Sequence, residues 1–194
     1  MKLIFATQNQ HKIKEINQIL GNDFSTIGLD SLGFFDEIPE TQSTIEGNAL
    51  QKAQYIWNKF HMPCFADDTG LEIDALNGAP GVYSARYAGV NKSFDDNCNK
   101  VLDELKGKSI RSARFRTVIA LIIDAKEFVF EGIIEGKITE QNTGNDGFGY
   151  DPIFLPEGYN QTFAQMSSEL KNKISHRGLA TNKLVNFLKV YPNL

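Results

Sequence analysis

The amino-acid sequence predicts an α/β fold, a mixed β-sheet flanked by helices with a cleft, and three observations carry that expectation. Apolar residues recur at helical spacing in some stretches and form short continuous runs in others, and the two kinds are interleaved along the chain. Residues 113–123 and 128–139 read as two long strands joined near Asp124-Ala125-Lys126-Glu127, so an antiparallel hairpin belongs to the sheet. At 194 residues the chain can bury a real core as one domain or as two tightly joined lobes. No repeat, low-complexity tract or linker divides it, so residues 1–194 are read as a single domain.

Taken in order, Lys2 to Ala6 is a short apolar strand that Thr7-Gln8-Asn9-Gln10-His11-Lys12 interrupts. Ile13, Ile16 and Leu20 follow at helical spacing, with Gly21 as the stop. A second helix begins after Thr41–Ser43 and carries Ile45, Ala49, Ala53, Ile56 and Phe60 on its apolar face; Ser43 and Glu46 have the spacing of a capping box. Pro63-Cys64-Phe65-Ala66 reads as a buried strand ending at Asp67-Asp68-Thr69-Gly70. A loop rich in Gly and Ala is expected from Asn77 to Gly89, and Ser93 then caps a helix with Phe94, Val101, Leu102 and Leu105. Beyond the hairpin, Thr143 to Asp151 is too glycine-rich for regular structure. A last helix starts near Ser175 and carries Leu179, Leu184, Val185 and Leu188.

The composition, 41% hydrophobic and 23% charged with a net charge of −4, is that of an ordinary globular protein. There is no run of Lys and Arg of the kind that grips a nucleic acid polymer, and the isolated basic residues suit a small anion instead. Cys64 and Cys98 lack metal-ligand spacing and read as reduced core thiols. Met1-Lys2 leads straight into a strand, not into the apolar region of a signal peptide, and no apolar stretch approaches the about 20 residues of a membrane helix. A cytoplasmic protein without membrane partners is expected.

Four places could carry chemistry. The first is Thr7 to Lys12, where a strand feeds a polar turn into a helix and gathers backbone N–H groups at the positive end of the helix dipole. Asn9 is placed to cap that helix, and Lys12 in its first turn is electrostatically wrong unless an anion sits nearby. An ordinary βα turn with a solvated lysine would look the same. The second is Glu40 with Asp67-Asp68, carboxylates suited to a hard cation such as Mg²⁺ or to activating water, against the alternative that Asp-Asp-Thr-Gly is simply a turn.

The third place is Gly147-Phe148-Gly149-Tyr150-Asp151-Pro152, where glycines let backbone approach a ligand and the aromatic ring can stack on a base; a hairpin loop with core aromatics is the alternative. The fourth is Ser175-His176-Arg177-Gly178 with Lys171 upstream, hydrogen-bond donors at a helix start or else surface residues. His11 and His61 have no partners for a zinc site, and no nucleophile elbow or activated cysteine is visible.

Together these stretches resemble the inosine triphosphate pyrophosphatase family, enzymes that clear non-standard purine nucleotides. The resemblance rests on Thr7-x-Asn9-x-x-Lys12, Glu40-Thr41, Asn48-Ala49-x-x-Lys52-Ala53, Ala66-Asp67-Asp68-Thr69-Gly70-Leu71, residues 78–87 (Gly-Ala-Pro-Gly-Val-Tyr-Ser-Ala-Arg-Tyr), residues 147–154 and Ser175-His176-Arg177-Gly178. It spans nearly the whole chain. Two positions depart from the family pattern: Gln42 replaces a glycine, and Gly47 stands where an acidic residue is common. Thr7 and Thr69 take the place of serines and keep the hydroxyl.

What the resemblance implies is a long bent mixed sheet with two lobes, an active-site cleft between them, and a homodimer. It implies hydrolysis of ITP, dITP and XTP to the monophosphate and pyrophosphate. Mg²⁺ would sit on Glu40 and Asp68, and Asp68, supported by Asp67, would activate water. The triphosphate would lie on Thr7, Gln8, Asn9, Gln10, His11 and Lys12, with Lys52 and Thr69 beside it. Phe148 would stack on the purine, His176 and Arg177 would donate to a 6-keto oxygen, and Gly149, Tyr150, Asp151 and Lys171 would frame base or sugar. Two rivals stay open: a phosphatase with Asp67 or Asp68 as covalent nucleophile, and a nucleotide-binding protein without turnover.

Overall fold

The protein is described by a computed structural model covering residues 2–20, 24–89 and 93–191. Its strands are β1 (Lys2–Phe5), β2 (Ser25–Ile27), β3 (Cys64–Ile73), β4 (Ser112–Ile123), β5 (Lys126–Ile138) and β6 (Phe154–Pro156), and its helices are α1 (Gln10–Leu20), α2 (Ile45–Phe60), α3 (Phe94–Glu104), α4 (Ser168–Ile174) and α5 (His176–Val190). The strands form one six-stranded sheet in the order β2-β1-β3-β4-β5-β6. β1 runs parallel to β2 and β3, while β6 pairs antiparallel with β5. Asp124 and Ala125, both at positive φ, make the tight turn that folds β4 back onto β5 as a hairpin. The sheet is therefore mixed, as expected, and the fold is α/β.

Most predicted elements stand where the periodicity put them, with four differences. β2, β6 and α4 were not anticipated, because each is short and carries too few residues to show a period. The cap of α2 is Thr44, whose hydroxyl accepts from the Gly47 N–H at 3.0 Å, so the proposed Ser43–Glu46 box lies one residue too early. β3 does not stop at Asp67 but runs on through Asp68, Thr69 and Gly70 to Ile73. On α5, Leu179 is exposed while Leu184, Val185 and Leu188 are buried. Gly21, the expected stop of α1, lies outside the described residues. Among those residues no helix is long and apolar enough to cross a membrane.

The chain divides into two compact units, residues 1–68, 117–132 and 176–194 in unit 1 and residues 69–116 and 133–175 in unit 2. In unit 1, Leu3 and Phe5 of β1, Phe65 of β3 and Ile119, Leu121 and Ile123 of β4 pack against Ile16 and Leu20 of α1 and Ala180, Leu184 and Leu188 of α5. Phe5 and Phe65 stack at 4.5 Å. The alternate residues of the same strands, Ile4, Cys64 and Ala66, are equally buried, and the Cys64 thiol reaches the Ala53 carbonyl of α2 at 3.4 Å. Successive residues of a strand face opposite sides, so α1 and α5 cover one face of unit 1 and α2 the other. Gly132 lets α5 lie close on β5: a Cβ there would fall 2.0 Å from the His176 carbonyl oxygen. Unit 2 has its own core, built from Leu71, Ile73, Val101, Leu105, Phe115, Phe154 and Phe163 among others.

Candidate active site

The extended course of β3 decides what the two aspartates do. Asp67 shares a face with Phe65 and so meets α1 and α5: Lys12 Nζ donates to Asp67 Oδ1 at 2.9 Å, and Arg177 Nε donates to Oδ2 at 3.4 Å. Asp68 shares a face with Ala66 and so meets α2. There Asn48 Nδ2 donates to Oδ2 at 3.2 Å and Lys52 Nζ to Oδ1 at 3.3 Å. Asn48 and Lys52 stand one helical turn apart on the buried side of α2. The turn reading of Asp-Asp-Thr-Gly is thereby corrected. Two buried carboxylates tolerate a strand interior here because each is met by a cation.

Glu40 joins the Asp68 side. Its Oε1 accepts from Lys52 Nζ at 2.6 Å, so two carboxylates from different segments converge on one ammonium. The backbone beside Glu40 is tied down by α2, with the Thr41 N–H on Gln51 Oε1 and the Gln42 N–H on Asn48 Oδ1, both at 2.9 Å. Gln42 and Gly47 are close neighbours in the structure. A Cβ on residue 47 would lie 2.8 Å from the Gln42 Cβ, so glycine at 47 makes the room that glutamine at 42 takes.

Proton affinities separate the adjacent aspartates. Burial alone would raise Asp67, but Lys12, Arg177 and Lys52 overcome it and hold the carboxyl at about 2. For Asp68 burial prevails and, with Glu40 and Asp67 nearby, lifts its pKa above the ordinary carboxylate value despite Lys52 and Lys12. One acid stays ionised while its neighbour becomes the better base. Lys52 keeps its proton more firmly than a free lysine: burial works against the charge, yet Asp68, Glu40 and Asp67 outweigh it.

The Thr7–Lys12 turn is more self-satisfied than the sequence suggested. Asn9 Oδ1 caps α1, accepting from the N–H groups of His11 (3.0 Å) and Lys12 (3.3 Å), and Thr7 Oγ1 accepts from the Asn9 N–H at 3.2 Å. Gln8 donates to the Asp36 carbonyl, and Gln10 and His11 are exposed. The anion that reconciles Lys12 with the helix dipole is Asp67, within the protein. His176 and Arg177 are buried at the start of α5, which rules out the surface reading, and Arg177 Nη1 also donates to Glu15 Oε2 at 2.5 Å.

Unit 2 holds the other predicted group. Asp151 Oδ2 accepts from the Phe148 N–H at 2.7 Å and from Lys171 Nζ at 2.6 Å, and both charged side chains are buried. Lys171 Nζ lies 4.9 Å from the Phe148 ring centre, and Phe94 tilts against that ring at 6.0 Å. Gly147, at φ +77°, is required by this turn, since a Cβ would fall 2.1 Å from Asp151 Oδ2. Tyr150 donates to the Ser84 carbonyl at 2.8 Å, the Cys98 thiol to the Gly149 carbonyl at 3.3 Å. Thr69, half-buried, also belongs to this unit.

Sequence reasoning gave Asn48 no role beyond its place in the Asn48-Ala49-x-x-Lys52-Ala53 stretch, and it left out Glu15 and Phe94 as functional neighbours. Asn48 had a signal, a polar residue amid the apolar face of α2. Glu15 had a weaker one, three residues after Lys12 on the same face of α1, and Phe94 had none.

No three His, Cys, Asp or Glu residues gather as a metal cluster among the described residues. Two hard carboxylates meeting at one point nevertheless fit Mg²⁺, which takes one or two protein carboxylates and completes its shell with water and phosphate.

The chain is similar to known proteins over nearly its whole length. The Ham1 family profile matches residues 3–187. The dITP/XTP pyrophosphatase of Flavobacterium johnsoniae is 53% identical over 97% of this chain and 98% of its own length. That of Porphyromonas gingivalis is 53% identical over 96% and 97%. The solved structure of a HAM1 protein from Coxiella burnetii superposes with a TM-score of 0.91 at 38% identity, covering 98% of this chain and all (100%) of that one.

Proposed function

This chain belongs to the Ham1 family, and we infer that it has the activity for which its relatives are named. It is a nucleoside triphosphate pyrophosphatase, a hydrolase that cuts non-standard purine nucleoside triphosphates (dITP, ITP and XTP) to the monophosphate and pyrophosphate, clearing them from the nucleotide pool. The single observation that supports the chemistry most is the Asp67–Asp68 divergence. It gives one carboxylate with raised proton affinity next to Glu40 and Lys52, and another locked in its charged form against Lys12.

In this reading Asp68 takes the proton from the water that attacks the α-phosphorus, and pyrophosphate leaves. Lys12 and Lys52 bind phosphate oxygens and offset the charge that repels the incoming water. Asp67 keeps Lys12 and Arg177 in place. The turn residues Thr7, Gln8, Asn9, Gln10 and His11, with Thr69, contact the triphosphate. A divalent cation held by Glu40 and Asp68, for which we propose Mg²⁺, supplies further neutralisation of the phosphates when bound.

Base selection is assigned to Phe148 for stacking and to His176 and Arg177 for donation to a 6-keto oxygen. Adenine has an amino donor at that place, and each unmade buried hydrogen bond costs about 1–3 kcal/mol. Lys171 and Asp151 fix the Gly147–Tyr150 turn that presents Phe148. A cytoplasmic homodimer completes the proposal.

The test is a triphosphate panel with Mg²⁺, assayed for pyrophosphate and orthophosphate, on wild type and Asp68→Asn. Pyrophosphate from dITP, ITP and XTP, and a variant that binds but turns over ~10²–10⁴-fold more slowly, are expected. Release of orthophosphate alone would overturn the assignment.

A further inference from the structure

Lys52 lies in the middle of the Glu40–Asp68 pair. Its Nζ is 2.6 Å from Glu40 Oε1 and 3.3 Å from Asp68 Oδ1, and its side chain is 6% exposed. Asn48, one turn earlier on α2, holds the second oxygen of Asp68, so that carboxylate is fixed with its Oδ1 aimed at the ammonium. The segment carrying Glu40 is fastened to α2 through Gln51 and Asn48. The oxygens thus converge on a single point, and a positive charge already sits there.

We propose that Lys52 is a resident stand-in for the divalent cation: ammonium and metal ion exclude one another at Glu40–Asp68, and the triphosphate frees the position by offering Lys52 a different anion. This rests on the reading that Glu40 and Asp68 hold the metal. Without nucleotide, the carboxylates are neutralised by a side chain that cannot diffuse away, and buried charge is never left uncompensated. The protein alone then binds a divalent ion weakly, because the ion must first expel a like charge that has nowhere better to go. With a triphosphate present, phosphate oxygens take Lys52 and the carboxylates accept the metal that travels with the nucleotide. Lys52 accordingly sets the order of binding, metal with or after nucleotide and not before it. When the products leave, the ammonium returns.

The experiment measures Mn²⁺ binding to the nucleotide-free full chain by calorimetry, for wild type, Lys52→Met, Glu40→Gln and the double variant, with unfolding curves as a check on folding. Lys52→Met keeps the stem and removes the charge, and is expected to bind Mn²⁺ about tenfold tighter or more. Glu40→Gln in that background abolishes the gain. Equal or weaker binding by Lys52→Met, with Glu40→Gln still weakening it, overturns the stand-in role and leaves the metal reading intact. If Glu40→Gln changes Mn²⁺ binding in neither background, the metal reading fails and the stand-in role falls with it. Should Lys52→Met not fold, the wild type decides: the Lys52 ammonium signal in a ¹⁵N spectrum, assigned by its loss in Lys52→Arg, must shift when Mg²⁺ and pyrophosphate are added together. An unchanged signal in the saturated protein overturns the proposal.

Discussion

Gln42 leaves room only for glycine at residue 47: a Cβ added to Gly47 would lie 2.8 Å from the Gln42 Cβ, and 2.9 Å from the Thr44 hydroxyl that caps α2. The close fit goes with a Glu40–Gln42 backbone held on α2, where Asn48 Oδ1 accepts from the Gln42 N–H.

The pair makes a prediction of sign. Replacing glycine by alanine inside a helix ordinarily stabilises by about 0.5–1 kcal/mol, yet Gly47→Ala is expected to lower the melting temperature here. In the Gln42→Gly background the contacts with the Gln42 side chain are gone, the Thr44 hydroxyl remains, and the same substitution is expected to cost less. A thermal double-mutant cycle should return a coupling of about 1 kcal/mol. Additive effects would contradict the steric account.

Asp67 and Asp68 should separate stability from turnover. Asp67→Asn leaves Lys12 and the buried Arg177 short of a counter-charge, and breaking a buried pair in this way costs about 3–5 kcal/mol. Asp68→Asn leaves Lys52 with Glu40, so its melting temperature should fall far less while its kcat collapses. Unfolding curves and steady-state rates on the same preparations check this. A greater loss of stability for Asp68→Asn would contradict it.

The thiols predict a response to alkali. Burial pushes Cys64 up to about 12, and burial together with Asp95 and Asp151 does the same to Cys98, from an ordinary value of 9.0. Above pH 9.0 the unfolded chain loses these protons while the folded chain keeps them, so the unfolded state binds fewer protons and stability falls as pH rises toward about 12. Each thiol contributes a loss of about 1.4 kcal/mol per pH unit in that window. At pH 8 the native protein should resist iodoacetamide and the denatured protein should not, as mass spectrometry would read. Prompt labelling of native Cys64 or Cys98 would contradict the assignment.

The helices and the hairpin were legible because burial writes a period into the sequence, 3.6 for α1 and α2 and a long apolar run for β4. The aspartates were legible as a motif but not as a geometry. Asp-Asp-Thr-Gly is composed of turn formers, and only cations from elsewhere let it stay extended. Those cations come from positions 55 residues before Asp67 (Lys12), 16 before Asp68 (Lys52) and 110 after Asp67 (Arg177), separations that no local window sees. Glu15 escaped for the same reason, its partner Arg177 being 162 residues away. The Thr44 cap was missed because Ser43 offers the same hydroxyl, and only Gly47 at the right distance identifies which of them begins the helix.

Unit 1 closes on itself late. Its core joins Leu3 and Phe5 near one end of the described chain to Leu184 and Leu188 near the other, whereas unit 2 is complete by residue 175. On a ribosome, α5 emerges after every other element described, and it brings both the last side of that core and Arg177, one of the counter-charges of Asp67. The core of unit 1 therefore cannot be completed before α5 has been made, whereas unit 2 draws on no residue beyond 175.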